Sequence, residues 1–180
     1  MLEFGVFNGA NLLYMAKLLQ FLASIDYKQV FGFDSFEGLT EFSNQDDIDG
    51  KTNATKGFYK GREDLLRTMI QLHELENTVG IVKGLIEDKL KPFLEKHQHM
   101  LFSLIYIDTD LYSSTKLILD SAWERLSPGG IIAFDEGYYH AYPGEGTAAI
   151  EFLNLSRMAG KFTLHSFSYA RQPMFYLVKR

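Results

Sequence analysis

The sequence predicts an α/β fold. A mostly parallel seven-stranded sheet is covered by helices on both faces, in three layers, with one antiparallel strand near an edge. Three observations predict it. Apolar runs of strand length alternate with longer stretches of helical spacing, the alternation persists through five strands, and two final strand-like runs follow one another with no helix between them. The chain has 180 residues, which suits one domain, residues 1–180.

Leu2 to Phe7 reads as the first strand, and Leu12 to Leu22 as a helix with apolar residues at Leu12, Met15, Ala16, Leu19 and Leu22. Val30 to Phe33 is a second strand, ending at Asp34. Thr40 to Gly61 is polar and rich in Asp, Asn, Lys and Gly, without periodicity. A segment of that length in a compact domain is usually a functional lid or disordered. Helical spacing returns at Arg62 to Leu75. Val79 to Val82 is a third strand, Lys89 to Lys96 a short helix and Leu101 to Ile107 a strongly apolar fourth strand. The helix Thr115 to Arg125 is stopped by Ser127-Pro128-Gly129-Gly130. Ile131 to Phe134 is a fifth strand and Gly146 to Arg157 a helix. Phe162 to Phe167 and Met174 to Val178 close the chain as a hairpin. Trp123 falls in the apolar pattern of its helix and is expected in the core. His73, His97, His99 and His165 are scattered.

Composition narrows the function classes. The net charge of -5 argues against nucleic acid as the main partner, because phosphate binding wants a basic surface. The absence of cysteine excludes disulfides, thiolate metal sites and a cysteine nucleophile. No apolar stretch approaches the roughly 20 residues needed to span a bilayer. The start of the chain has neither the basic nor the apolar region of a secretory signal. A cytoplasmic location and no membrane partner are the expectations.

In open α/β sheets ligands sit beyond the carboxyl ends of the strands. The first strand ends in Glu3-Phe4-Gly5-Val6-Phe7-Asn8-Gly9-Ala10-Asn11. Its glycines permit positive φ and close approach to a ligand. The G-x-G-x-x-G pattern of a dinucleotide site is absent, which argues against a nicotinamide-dependent oxidoreductase. Glu3 adds a negative charge that suits an ammonium or sulfonium better than a pyrophosphate. A tight strand–helix turn would use the same glycines. Asp34 is placed to accept hydrogen bonds from ribose hydroxyls, or else to cap the next segment. Together the two features point to a nucleoside.

Asp108, Asp110, Asp135 and Glu136 form the sharper constellation. If the fourth and fifth strands are neighbours, their ends lie about 5 Å apart. Carboxylates crowded there raise one another's pKa or require a cation. Oxygen donors without His or Cys suit Mg²⁺, Mn²⁺ or Ca²⁺ rather than zinc. The alternative is that one or two of these acids cap helices or face solvent.

The first-strand segment resembles the first motif of class I S-adenosylmethionine-dependent methyltransferases. The segments 32–39 (GFDSFEGL), 107–115 (IDTDLYSST) and 126–136 (LSPGGIIAFDE) resemble the macrocin O-methyltransferase (TylF-like) family. The resemblance runs from Glu3 to the final strands. It implies a Rossmann-like methyltransferase fold, S-adenosylmethionine as cosubstrate, Mg²⁺ or another divalent cation, and a sugar hydroxyl as acceptor. It implies that Glu3, Gly5, Phe7, Gly9 and Asn11 line the methionine moiety. Asp34 and Ser35 would hold the ribose, and Gly84 and Leu85 would border the adenine. Asp108, Asp135 and Glu136 would coordinate the metal, with Asp108 also beside the cosubstrate. Asp110 would be the general base, and residues 40–61 a lid.

Tyr112 and the aromatic run Tyr138, Tyr139 and His140, with Tyr142 beyond it, are expected to contact the sugar, the alternative being surface or core packing, with His140 an exposed loop histidine. Two departures stand out. Family members usually carry two Asp at the fifth strand, where the second here is Glu136. The sequence begins almost directly at the first strand, where relatives carry helices that cover the site; the expectation is either a truncated sequence or an unusually open site, with apolar surface that a partner subunit, as in a homodimer, would cover. Position 111 is Leu, where catechol-type relatives place a lysine, so the base must be Asp110. Two alternatives share these residues: a metal-independent small-molecule methyltransferase, and a non-catalytic protein that keeps the fold with an incomplete site.

Overall fold

Strand β1 (Leu2–Phe4) runs through the middle of the sheet, and the chain then builds outward on one side. Helix α1 (Ala10–Leu22) leads to β2 (Val30–Asp34), and helix α2 (Glu63–Leu72) to β3 (Val79–Lys83). Helix α3 (Ile86–Lys96) then carries the chain to the other side of β1. There β4 (Phe102–Ile107), α4 (Tyr112–Ala122), β5 (Leu126–Phe134), α5 (Pro143–Leu153), β6 (Phe162–Ser166) and β7 (Phe175–Lys179) follow. The order across the sheet is β3-β2-β1-β4-β5-β7-β6. Only β7 is antiparallel to both of its neighbours, one position in from the edge. This computed structural model describes residues 1–22, 28–40, 42–47, 50, 52, 55–137 and 141–180.

Each face of the sheet buries its own core. On one face Leu12, Met15, Ala16 and Leu19 of α1 and Leu66 and Ile70 of α2 pack on Val30 and Val79. On the other, Leu90 and Phe93 of α3, Ile118 and Leu119 of α4 and Phe152 of α5 pack on Phe33, Ile105 and Phe134. Trp123 is buried there against Phe152, with ring centroids 5.7 Å apart. No helix among the described residues is long and apolar enough to cross a membrane.

The structure corrects several predicted boundaries. The first strand stops at Phe4 rather than Phe7, because Gly5 (φ +83°) and Phe7 (φ +51°) turn the chain away from the sheet. Helix α3 starts at Ile86, not Lys89. Ile86, Leu90, Phe93 and Leu94 share its buried face, and Glu87 and Asp88 in its first turn complement the helix dipole. Helix α4 runs from Tyr112 to Ala122 and ends in a 3-10 turn at Trp123–Arg125. Ser127-Pro128-Gly129-Gly130 lies within β5, where the pairing with β4 shifts register between Phe102 and Leu104. Helix α5 begins three residues earlier than predicted, with Pro143 at its first turn, where a missing N–H does no harm.

Candidate active site

The order of the sheet puts the chain reversal between β1 and β4, which is where an open α/β sheet opens a crevice. The backbone beyond each strand is pinned to its neighbour. Gly84 N–H donates to Asp34 O, Gly5 N–H to Phe33 O, Asp108 N–H to Phe4 O and Asp135 N–H to Ile107 O, all at 2.9–3.0 Å. The segments that carry the expected site residues are thereby held side by side. Above them lies a cavity of about 590 Å³. Its walls include Gly5, Phe7, Asp34 and Ser35 on one side, Gly84 and Leu85 beside them, and Asp108, Asp110, Asp135 and Glu136 opposite.

Asp34 organises the first loop. Its Oδ2 accepts hydrogen bonds from the amides of Val6 (2.7 Å) and Phe7 (2.8 Å), and its Oδ1 from the amide of Phe36 (2.6 Å). A carboxylate has about four acceptor positions, so this clamp leaves capacity for a ligand. Gly5 is confined by a different contact. A Cβ on it would lie 1.7 Å from the carbonyl oxygen of Asp108, so only glycine lets the loop close against β4.

The acids opposite bury charge on charge. Burial, followed by repulsion from Asp135, Glu145, Asp110 and Glu3, pushes the Asp108 carboxyl well above its usual range. Burial also raises Asp135, opposed by the hydroxyl of Tyr106, which donates to its Oδ1. Asp110 is pushed up to about 7 by burial and then by Glu136, Asp135 and Asp46. It is also a non-glycine residue at φ +60°, in the left-handed region. Glu136 is half-buried and raised by burial and Asp135. Its Oε1 accepts from Gln172 at 2.9 Å, and Arg171 partly offsets its charge.

These shifts share one sign, with a consequence for stability. A carboxyl whose folded pKa is raised binds its proton more tightly in the folded state. Its contribution is therefore fully present below the unfolded value near 3.8 and is lost as pH rises through the folded value. For Asp110 that window runs from about 3.8 to about 7. Metal-free protein is expected to melt several degrees lower at pH 8 than at pH 5.5, and millimolar Mg²⁺ or Mn²⁺ is expected to restore most of the difference at pH 8. Differential scanning fluorimetry checks this, and a melting temperature that rises from pH 5.5 to pH 8 would contradict the charge assignment.

The described residues of the segment 40–61 are tied down around the mouth. Leu39 N–H donates to Phe58 O and Gly57 N–H to Leu39 O, both at 2.8 Å, closing the base of the segment. Buried Asp46 accepts from Ser43 N (2.7 Å), Ser43 Oγ (2.6 Å) and, through Oδ1, from the amide of Tyr112 at the start of α4 (2.7 Å). Thr52 Oγ1 donates to Ala141 O at 2.9 Å. The hydroxyls of Tyr59 and Tyr142 lie 2.8 Å apart, and both rings line the cavity.

Some expected residues lie behind the wall rather than in it. Glu3 is buried, and its Oε1 accepts from Asn11 Nδ2 at 3.0 Å, joining β1 to α1. Its Oε2 has no hydrogen-bond partner, and burial pushes the carboxyl up to about 8 against the pull of Asn11. Gly9 makes its close approach to Leu66 of α2. Tyr112 turns away from the cavity, its hydroxyl donating to Glu151 at 2.6 Å. Tyr138, Tyr139 and His140 lie outside the described residues.

Among the described residues, no three acidic, histidine or cysteine side chains stand together as a ready metal-binding group. The donor chemistry nevertheless fits a hard divalent cation. Asp108, Asp135 and Glu136 line one cavity, and Asp135 raises both of the others by repulsion, the condition a cation relieves.

The sequence reading passed over two acids. Asp46 lies in the stretch read as structureless. Glu145 is fully buried in the first turn of α5, and its signal was a lone acid in a run of small residues, Pro143-Gly144-Glu145-Gly146-Thr147-Ala148-Ala149.

Comparisons with known proteins agree with this architecture. The chain is similar to the crystal structure of CalS11, calicheamicin methyltransferase, with a TM-score of 0.83 and 25% identity, over 99% of this chain and 71% of that one. It is similar to the O-methyltransferase NovP, with a TM-score of 0.74 and 20% identity, over 100% of this chain and 71% of that one. An O-methyltransferase from Bacillus cereus, solved with SAH, aligns with a TM-score of 0.66 and 18% identity, over 99% of this chain and 73% of that one. The last two likenesses, at their low identities, concern the fold. Alpha-glucan water dikinase 1, chloroplastic, of Arabidopsis thaliana is 30% identical over 93 residues. That match takes in 48% of this chain but spans only 7% of that protein's length. A family model described as Macrocin-O-methyltransferase (TylF) matches residues 1–163. The chain belongs to the macrocin-O-methyltransferase (TylF) family.

Proposed function

We propose that this chain transfers the methyl group of S-adenosylmethionine to a hydroxyl of a sugar, assisted by a divalent cation. One observation carries the reading: a single cavity at the switch point of the sheet has Asp34 and the glycine loop on one wall and the carboxylates of β4 and β5 on the other. CalS11, a structural relative, is described as TDP-rhamnose 3'-O-methyltransferase, and this supports a sugar as acceptor. The acceptor class is a 6-deoxyhexose, a natural-product glycoside, a nucleotide sugar or a glycan.

Asp34, with Ser35 beside it, would accept from the ribose hydroxyls, using the acceptor capacity that its amide clamp leaves open. Gly84 and Leu85 would border the adenine, and Gly5 and Phe7 the methionine end. Glu3, Gly9 and Asn11 would act from behind, by holding the loop that carries Gly5 and Phe7. Asp108, Asp135 and Glu136 would hold the cation, Glu136 by giving up its bond to Gln172. A bound divalent cation supplies charge stabilisation for the developing alkoxide and orients a vicinal diol. Asp110 would take the proton of the attacking hydroxyl. Its pKa near 7 suits a general base at neutral pH. Tyr59 and Tyr142 would form the side of the pocket nearest the acceptor, and residues 40–61 would shut out water as a lid.

Isothermal titration calorimetry with SAH, and electron paramagnetic resonance with Mn²⁺, test this reading. Wild-type protein is expected to bind SAH, and to bind Mn²⁺ more tightly once SAH is present. Asp108→Ala is expected to lose Mn²⁺ binding by tenfold or more, of the order seen when metal-site groups are removed, with SAH retained. Methyl transfer undiminished by excess chelator would remove the cation and favour a metal-independent transferase.

A further inference from the structure

Glu145 is the most deeply buried acid near the site, and nothing in the transfer chemistry uses it. It sits in the first turn of α5 with no exposed surface and does not line the cavity. Its carboxylate reaches sideways to two loops. Oε2 accepts from the amide of Thr109 at 3.2 Å, and Oε1 from the amide of Glu136 at 3.0 Å. Thr109 is the residue between Asp108 and Asp110. The peptide whose N–H is bound at Glu136 is the one that joins it to Asp135. One side chain therefore grips both segments that carry the cavity acids.

The surroundings make this grip specific. At Gly144, a Cβ would lie 1.9 Å from Asp46 Oδ1, 2.6 Å from Tyr112 N and 3.0 Å from Asp110 O. The start of α5 is thus seated directly on the loop after β4, and Glu145 follows fully buried. Both partners are donors, so the position calls for a group that offers an acceptor oxygen to each, although burial and the charge of Asp110 push the Glu145 carboxyl well above its usual range. Glutamate meets that requirement. Glutamine of the same size keeps one acceptor and turns an NH₂ donor toward an amide that is itself a donor. Asp110 stands in the left-handed region one residue beyond Thr109, a conformation that persists only where neighbours hold it.

We propose that Glu145 is a positioning residue: by holding the amides of Thr109 and Glu136 it sets the spacing between the acids of β4 and those of β5, and so their readiness to bind a divalent cation. The inference rests on the transferase reading above. The residue would act through backbone, not by touching the cation or the acceptor.

Glu145→Gln tests it, with Mn²⁺ and SAH as probes. The expected result is a loss of Mn²⁺ affinity of about 10- to 100-fold, in the range typical of groups behind metal ligands, with SAH affinity within about threefold of wild type. A residue that only braced the fold would lower both affinities together with the melting temperature, and that outcome overturns the proposal. Equal Mn²⁺ affinity in variant and wild type overturns it too. If the variant does not fold, the wild type still decides. Amide hydrogen exchange in the metal-free protein is expected to protect Thr109 and Glu136 strongly, and exchange at open-loop rates would contradict the grip. Wild-type protein that takes up neither SAH nor Mn²⁺ overturns the transferase reading, and the inference with it.

Discussion

Asp110→Asn is expected to cut methyl transfer by ~10²- to 10⁴-fold, the usual worth of a general base, and to leave SAH binding within a few-fold of wild type. Asparagine keeps the size of the side chain and can still occupy φ +60°, since Asn is among the residues that tolerate the left-handed region. It cannot take a proton. Removing one of several mutually repelling carboxyls also relieves charge, so the variant is expected to melt higher than wild type at pH 8, where Asp110 is ionised at the expense of its burial. A gain in stability joined to a loss of rate separates this account from simple misfolding. SAH release from S-adenosylmethionine, followed over a panel of sugar acceptors, gives the rate. An Asp110→Asn protein as fast as wild type would transfer the base role elsewhere.

Asp34→Ala is expected to damage binding and fold together. The sequence alone suggests lost ribose contacts or a lost cap on the next segment. The structure adds three backbone amides, those of Val6, Phe7 and Phe36, which lose their acceptor at once. A buried donor left unpaired costs about 1–3 kcal/mol, and Val6 and Phe36 are both shielded from water. Calorimetry is expected to show SAH affinity reduced by 100-fold or more, and thermal denaturation a fall of several degrees. Asp34→Asn keeps one acceptor oxygen and should lie between the two. Unchanged stability in Asp34→Ala would mean that the clamp on the first loop is not formed in solution.

The architecture was legible because it rests on long-range periodicity. Alternating apolar runs marked all seven strands, and the missing helix between the last two pointed to one antiparallel strand near an edge, which is β7. That the acids gather at one end of the sheet was legible because a strand-end position is a sequence position. Asp34, Asp108, Asp110, Asp135 and Glu136 all face the one cavity for that reason. Depth was not legible. Glu3 reads as a charge beside a ligand loop, yet alternation along β1 and the reach of Asn11 place it beneath that loop. Tyr112 sits in a motif beside Asp110, but the turn into α4 points its ring toward Glu151. Glu145 and Asp46 escaped because the contacts that tie them to the site are to backbone amides 36 and 66 residues away, which no local pattern encodes; the local bond of Asp46 to Ser43 marks only a turn.

The two halves of the site also differ in how finished they are. The side proposed for the nucleoside is held by hydrogen bonds already made, at Gly5, Asp34 and Gly84. The acidic side is held at its backbone, by Glu145 and the strand ladders, while its side chains are partly engaged elsewhere: Asp135 with Tyr106, Glu136 with Gln172. A cation arriving there would have to compete with those two bonds, and it would in turn remove the repulsion that burial imposes on Asp108. This predicts a cation affinity that depends on pH and on prior occupancy of the nucleoside side.

A crystal of the protein grown with SAH and Mn²⁺ tests the central claim most directly. The account expects the ribose within hydrogen-bond reach of Asp34, and the anomalous signal of manganese between Asp108 and Asp135. SAH elsewhere on the molecule, or a crevice that stays empty at saturating SAH, would contradict it.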